Sequence, residues 1–160
     1  RRQRQMCIRD SGGYAQYLKH LIKENQLEDI IHYTGFLSAE KLAKKLTEVN
    51  AVVIPSSIEN APNSLAEGEI VGTPTIATYV GGNMDMLEHN KDGFLYCYNE
   101  PNMLAEYLSQ IFESDDLANC LSEHARATAR KRHDPDTLEK TILGIYDSLI
   151  LKNKLFFLIR

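Results

Sequence analysis

Short apolar runs alternate with longer amphipathic segments along most of this chain, and nothing else in it restricts the fold as much. The runs "MCI", "IIHY" ending at Gly35, "AVVIP", "TPTIATY" and "FLYCY" have strand length. Between them lie segments with helical spacing. In "YAQYLKHLIKEN", Tyr14, Leu18, Leu21 and Ile22 share one face. "SAEKLAKKLTEV" opens on Ser38 and sets Leu42 and Leu46 four apart, so it reads as a capped helix. "GGNMDMLEHNKDG" reads as a turn, a short helix and a turn. From Pro101 the pattern is helical in three segments, with Asp115 and Asp134 expected as N-caps and Pro135 in a first helical turn. Strands alternating with helices imply βαβ units, hence an α/β fold with a parallel sheet and helices on both faces.

With 160 residues, the chain is expected to form a single domain over 1–160 with one core. It is 43% hydrophobic and 25% charged, as ordinary globular proteins are. A net charge of -4 argues against a nucleic-acid partner, whose footprint is basic, but not against a single nucleotide. Cys7, Cys97 and Cys120 are far apart and show no metal-ligand spacing, so a reduced compartment and no metal are expected. The N-terminal "RRQRQMCIRD" lacks the apolar core of a secretory signal, and no apolar run reaches the roughly 18 residues of a membrane span. The basic, apolar tail 151–160 has two readings: a helix end or packing strand, or a contact with a membrane or a missing domain.

In a parallel sheet, ligands bind beyond the carboxyl ends of the strands. That rule places Asp10–Gly13, Gly35–Leu37, Ser56–Ser64 and Val80–Asn83 along one edge. "DSGG" at 10–13 lacks the G-x-G-x-x-G spacing of a dinucleotide fingerprint and reads as a plain strand-to-helix turn. The third stretch, "PSSIENAPNSLAEGEIVGTP", carries Glu59 and Glu67 with seven residues between them. Two readings compete. Ser64-Leu65-Ala66-Glu67 fits a capping box, which would make Glu67 a helix-end carboxylate and Glu59 a solvated loop charge. Alternatively, Pro62, Asn63 and Ser64 sit where unpaired N–H groups and the positive helix dipole emerge, a ready phosphate site. Glu67, one turn in, then faces a vicinal diol such as a ribose, and Glu59 a second polyol. His20 is read as solvated, "RATARKRH" as a basic helix end suited to the dipole, and Asp85 and Glu88 as first-turn helix charges.

The same stretch resembles the signature of the family-four retaining glycosyltransferases of GT-B fold: a Glu, seven residues, a second Glu, a helix and Gly-x-Pro. Here these are Glu59, Glu67 and Gly72-Thr73-Pro74. "HYTGFL" and "YVGGNMDMLEHNKDGFLY" resemble further segments of the family in the same order, over about residues 6–148. The "ENAPNSLAE" version resembles a branch found in bacterial surface-polysaccharide clusters. The resemblance implies a Rossmann-like sheet, part of a GT-B C-terminal domain that binds a nucleotide-sugar donor. It implies that Glu67 holds the ribose and that Glu59 meets the transferred sugar and supports charge as the glycosidic bond breaks. It further implies that the backbone of Ala61, Pro62, Asn63, Ser64 and Leu65 lines the donor diphosphate, that Asn60 is among the donor-binding residues, and that Gly35 and Leu37 meet the base by backbone contacts. A hexosyl group would pass, with retention and without a metal or other cofactor, to a glycan or lipid-linked acceptor. The setting implied is cytoplasmic, at the inner face of the membrane, with peripheral membrane association.

Two departures stand out. The family's first Glu is usually followed by Gly-Phe-Gly, here Asn60-Ala61-Pro62. The basic pair that holds the diphosphate, and the N-terminal acceptor domain, have no counterpart in this sequence, so it reads as a fragment expected not to catalyse transfer alone. A sugar-nucleotide epimerase of related fold and a non-catalytic interaction domain are the rival readings.

Overall fold

The computed structural model describes residues 11–32, 34, 35 and 37–158. Two compact units divide the chain, Arg1–Ser38 and Ala39–Arg160.

The first unit contains helix α1, Ser11–Glu24. The "MCI" run and Asp10 lie outside the described residues. Ser11, Gly12 and Gly13 open α1 rather than forming a separate turn. Leu18, Leu21 and Ile22 are half-buried as their shared face requires, whereas Tyr14 is exposed. The strand expected at Ile30–Tyr33 is not seen over 30–32, and Tyr33 lies outside the described residues. Instead the N–H groups of Ile30 and Ile31 both donate to the Leu27 carbonyl, curling the backbone into a turn. Both isoleucines stay exposed. An apolar run becomes a strand only where a neighbouring strand takes up its N–H and C=O groups. Here a local turn takes them up.

The second unit carries the core. Its elements are α2 (Ala39–Glu48), β1 (Val52–Ile54), α3 (Asn63–Val71), β2 (Thr75–Thr78), α4 (Asn83–Met86), β3 (Phe94–Tyr96), α5 (Pro101–Glu113), α6 (Asp115–Arg132) and α7 (Pro135–Leu158). The three strands form a parallel sheet in the order β1-β2-β3. Ile54 pairs with Ala77, and Ala77 with Leu95. Strand side chains alternate between faces, and the core divides accordingly. Ile54, Ala77 and Leu95 pack with Leu65 of α3 and with Leu87 just beyond α4. Ile76, Phe94 and Tyr96 pack on the other face with Ile111 of α5 and Leu121 of α6. The sheet is thus covered on both faces, which is why its strands read as unbroken apolar runs.

Helix ends explain where the chain turns. Gly72 ends α3 in the left-handed region, φ 84°, and its N–H donates to the carbonyls of Gly68 and Glu69. The Arg126 guanidinium on α6 donates to the neighbouring Val71 carbonyl at 2.8 Å. Asp134 accepts from the Thr137 N–H at 2.9 Å and so caps α7, as expected. The cap of α6 is one residue earlier than expected: Ser114 accepts from the Leu117 N–H, and Asp115 is a first-turn residue. Along α7, residues 135–150 are exposed. The side chains of the tail 151–160, on which two readings were open, lie outside the described set. No helix among the described residues is long and apolar enough to cross a membrane.

Candidate functional site

The loop between β1 and α3 leaves the carboxyl end of the sheet, and Glu59 sits on it. A half-buried carboxylate on a loop needs fixed partners to hold one direction. Ser56 Oγ donates to Glu59 Oε2 at 3.0 Å, and the Asn60 N–H approaches Oε1 at 3.3 Å. The loop backbone is held from the other side by the turn after β2. A Cβ on Gly81 would lie 1.8 Å from the Glu59 carbonyl oxygen, and one on Gly82 would lie 1.7 Å from that of Asn60. Gly81 also has φ 48°. Only glycine lets two backbones approach this closely in that conformation. The sequence-derived edge is therefore real for Ser56–Ser64 and Val80–Asn83, which the fold brings into contact. Gly35 and Leu37 belong to the first unit, where Gly35 has φ 65° in irregular backbone and Leu37 is half-buried.

The start of α3 differs from the capping-box reading. The N-cap is Pro62, without a side-chain hydrogen bond, and Ser64 lies inside the helix at its second position. Pro62 is extended at φ -74° and ψ 121°, the entry geometry a proline favours, so the helix starts one residue before Ser64. The Leu65 and Ala66 N–H groups both donate to the Pro62 carbonyl. Among the described residues, the N–H groups of Asn63 and Ser64 have no backbone acceptor. Asn60, Ala61, Asn63 and Ser64 are exposed, Pro62 is buried and Leu65 is a core residue at 0% exposure. Glu67 stands four residues after Asn63 and is half-buried. At helical spacing it shares a side with Asn63, away from the face that buries Leu65, Gly68 and Glu69. The site thus offers two backbone N–H donors at the positive end of a helix dipole, flanked by a carboxylate on the loop and another one turn in. That suits an anion with a hydroxyl-bearing group on either side of it.

A third carboxylate in this stretch, Glu69, went unsuspected. It is wholly buried, and Arg132 at the end of α6 meets it at 2.6 Å. The second Arg132 nitrogen donates to the Met86 carbonyl at the end of α4. Half-buried Arg132 thus anchors this basic helix end to α3 and α4. Burial pushes the Glu69 carboxyl up, opposed by the Arg132 hydrogen bond and charge. Asp92 is likewise buried and raised, above all by desolvation, although it accepts from the Glu88 N–H. The family's seven-residue spacing selects Glu67, but nothing in "EGE" tells that Glu69 is buried; its Arg132 partner and its burial do. Asp85 lies in the first turn of α4 as read, whereas Glu88 lies beyond that helix and pairs with Lys91. His20 is exposed and meets Glu24. Among the described residues, no three His, Cys, Asp or Glu side chains are grouped to hold a metal.

Comparison with known proteins bears directly on this geometry. The profile of the family described as "Glycosyl transferases group 1" matches residues 1–128. The putative colanic acid biosynthesis glycosyltransferase WcaL of Escherichia coli K12 is 28% identical over 131 residues, 77% of this chain and 32% of that protein. The 2-deoxystreptamine N-acetyl-D-glucosaminyltransferase of Niallia circulans is 26% identical over 144 residues, 90% of this chain and 37% of that protein. The chain thus spans about a third of the length of these relatives. Among solved structures, Anabaena Alr3699/HepE in complex with UDP superposes with a TM-score of 0.81 at 24% identity, covering 87% of this chain and 38% of that one. The fold is therefore that of the GT-B glycosyltransferases, as the motifs implied.

Proposed function

This chain belongs to the group 1 glycosyl transferases, and from that membership we propose that it is the donor-binding part of a hexosyltransferase. One observation carries the reading. The Glu59 loop and the unpaired amides of α3 share the carboxyl edge of a parallel sheet, where α/β proteins bind ligands. A nucleotide-diphosphate sugar fits that edge. Its diphosphate lies against the Asn63 and Ser64 N–H groups, its ribose against Glu67 and its hexose against Glu59. Solved complexes of HepE with UDP and with UDP-glucose support a uridine nucleotide as the first to try.

In the transfer itself, the donor diphosphate leaves and its charge grows as the glycosidic bond breaks. The α3 amides stabilise that charge, and Glu59 stabilises the positive charge building on the sugar. The transfer is proposed to retain anomeric configuration and to need no metal, so EDTA is expected to leave the turnover of the full-length protein unchanged. The acceptor, a glycan or lipid-linked sugar, is assigned to a domain outside this sequence. The relatives named for colanic acid synthesis support a role in surface polysaccharide assembly. A cytoplasmic site at the inner face of the membrane, with peripheral membrane association, completes the proposal.

Ligand-observed NMR of this chain with UDP, GDP and ADP, repeated on Glu67→Ala, tests the reading. One nucleotide is expected to bind and to weaken about tenfold or more in the variant, as when a hydrogen bond to a charged group is lost. Binding of none, by this chain and by the full-length protein alike, would return it to a non-catalytic interaction domain. Consumption of a nucleotide sugar with no acceptor and no nucleotide released would favour an epimerase.

A further inference from the structure

We propose that Ser56 is a positioning residue for Glu59, anchored through Thr78 to the buried sheet. The inference rests on the reading of Glu59 as the carboxylate that faces the transferred sugar. Hydrogen bonds run in one direction toward that carboxylate. The Asn83 side-chain amide donates to the Thr78 carbonyl at 2.9 Å. The Thr78 hydroxyl donates to the Ser56 carbonyl at 2.6 Å. The Ser56 hydroxyl donates to Glu59 Oε2 at 3.0 Å. Asn83 and Thr78 are both at 0% exposure, while Ser56 and Glu59 are half-buried. The chain of bonds therefore starts in the core and ends at the site.

Its geometry follows from the sheet. Thr78 ends β2, and Ser56 stands two residues past the end of β1, the neighbouring strand. The Thr78 hydroxyl thus ties the loop to the adjoining strand where the ladder stops. Glu59 has three side-chain torsions, and a free carboxylate at a loop would sample many rotamers. With Oε2 bonded to Ser56 and the loop backbone wedged against Gly81, one orientation is selected. Each carboxylate oxygen still has lone-pair capacity for a sugar hydroxyl. Holding a group in its reactive geometry before the substrate arrives is what lowers the barrier.

Two measurements test this. First, three-bond couplings about the Glu59 side chain are measured by NMR on this chain for the wild type, Ser56→Ala and Ser56→Thr. A single rotamer is expected in the wild type, averaging in Ser56→Ala, and recovery in Ser56→Thr, which keeps the hydroxyl. Second, UDP release from UDP-glucose by the full-length protein is compared for the same variants and Glu59→Gln. Ser56→Ala is expected to lower kcat about tenfold, with KM little changed, because orientation is lost and binding is not. Wild-type couplings in Ser56→Ala would overturn the proposal. So would full kcat in Ser56→Ala beside an inactive Glu59→Gln, a result that leaves the reading of Glu59 standing. Full kcat in Glu59→Gln would instead remove that reading, and the couplings alone would then decide whether Ser56 orients the carboxylate.

Discussion

The carbonyl oxygen of Glu59 lies where a side chain on Gly81 would begin. A single methyl at that position must push the Glu59 loop away from the turn after β2. Gly81→Ala is expected to cost about 2 kcal/mol, the scale of overpacking a tight contact, and to weaken any ligand that Glu59 holds. Chemical denaturation of wild type and variant measures the first effect, and titration with UDP-glucose the second. Unchanged stability would mean the loop yields freely. At this scale the sequence was legible where residue type and spacing met a helix start or a strand end. Glu59 and Glu67 stood out by spacing, with two readings open, and the family resemblance favoured the ligand-facing one and marked the glycine pair. Glu69 did not, because a buried carboxylate differs from a solvated one only in its surroundings, and its partner Arg132 lies 63 residues away.

At the scale of the element, helix ends follow backbone geometry more than motif. Pro62 starts α3 and leaves Ser64 inside it, whereas Ser114 caps α6 through the Leu117 N–H. Ser114→Ala is therefore expected to cost about 1 kcal/mol. Ser64→Ala is expected to change stability by less than about 0.5 kcal/mol. Thermal unfolding of the two variants side by side separates them, and equal losses would restore the capping box. The Arg132 anchor ties α6 to α3 and to the end of α4. Arg132→Met strands a buried carboxylate and is expected to cost about 3 kcal/mol or more. Adding Glu69→Leu should recover much of that loss in urea denaturation, since the uncompensated charge is then gone. No recovery would show that the Met86 contact, not the ion pair, carries the energy.

For the whole molecule, the buried carboxyls set a pH dependence of unusual sign. Burial raises both Glu69 and Asp92. The native state therefore keeps protons that the unfolded chain has released just above the ordinary carboxylate range. Stability from these two groups is full below that range and falls as pH rises toward their raised values. Most carboxylates do the opposite, Asp134 among them, whose Thr137 hydrogen bonds hold it low. The comparison is therefore differential: across that window, the thermal midpoint of Glu69→Gln should decline less with rising pH than that of the wild type. The chain has no tryptophan, so circular dichroism is the readout. Parallel slopes would mean that Glu69 titrates as an exposed carboxylate.

The sequence by itself determined the α/β class, the order of elements in the second unit and the family. Apolar periodicity depends on local spacing, and the family's motifs are local strings. It also placed the site at one edge, because a parallel sheet leaves its loops there. Only the tertiary structure decided whether Ile30 and Ile31 would enter a sheet, since that requires a neighbouring strand to accept their hydrogen bonds. It alone separated Glu67 on the outward side of α3 from Glu69 in the core, two residues away. It alone joined Asn83, Thr78, Ser56 and Glu59, because residues up to 27 positions apart meet only when two parallel strands lie side by side.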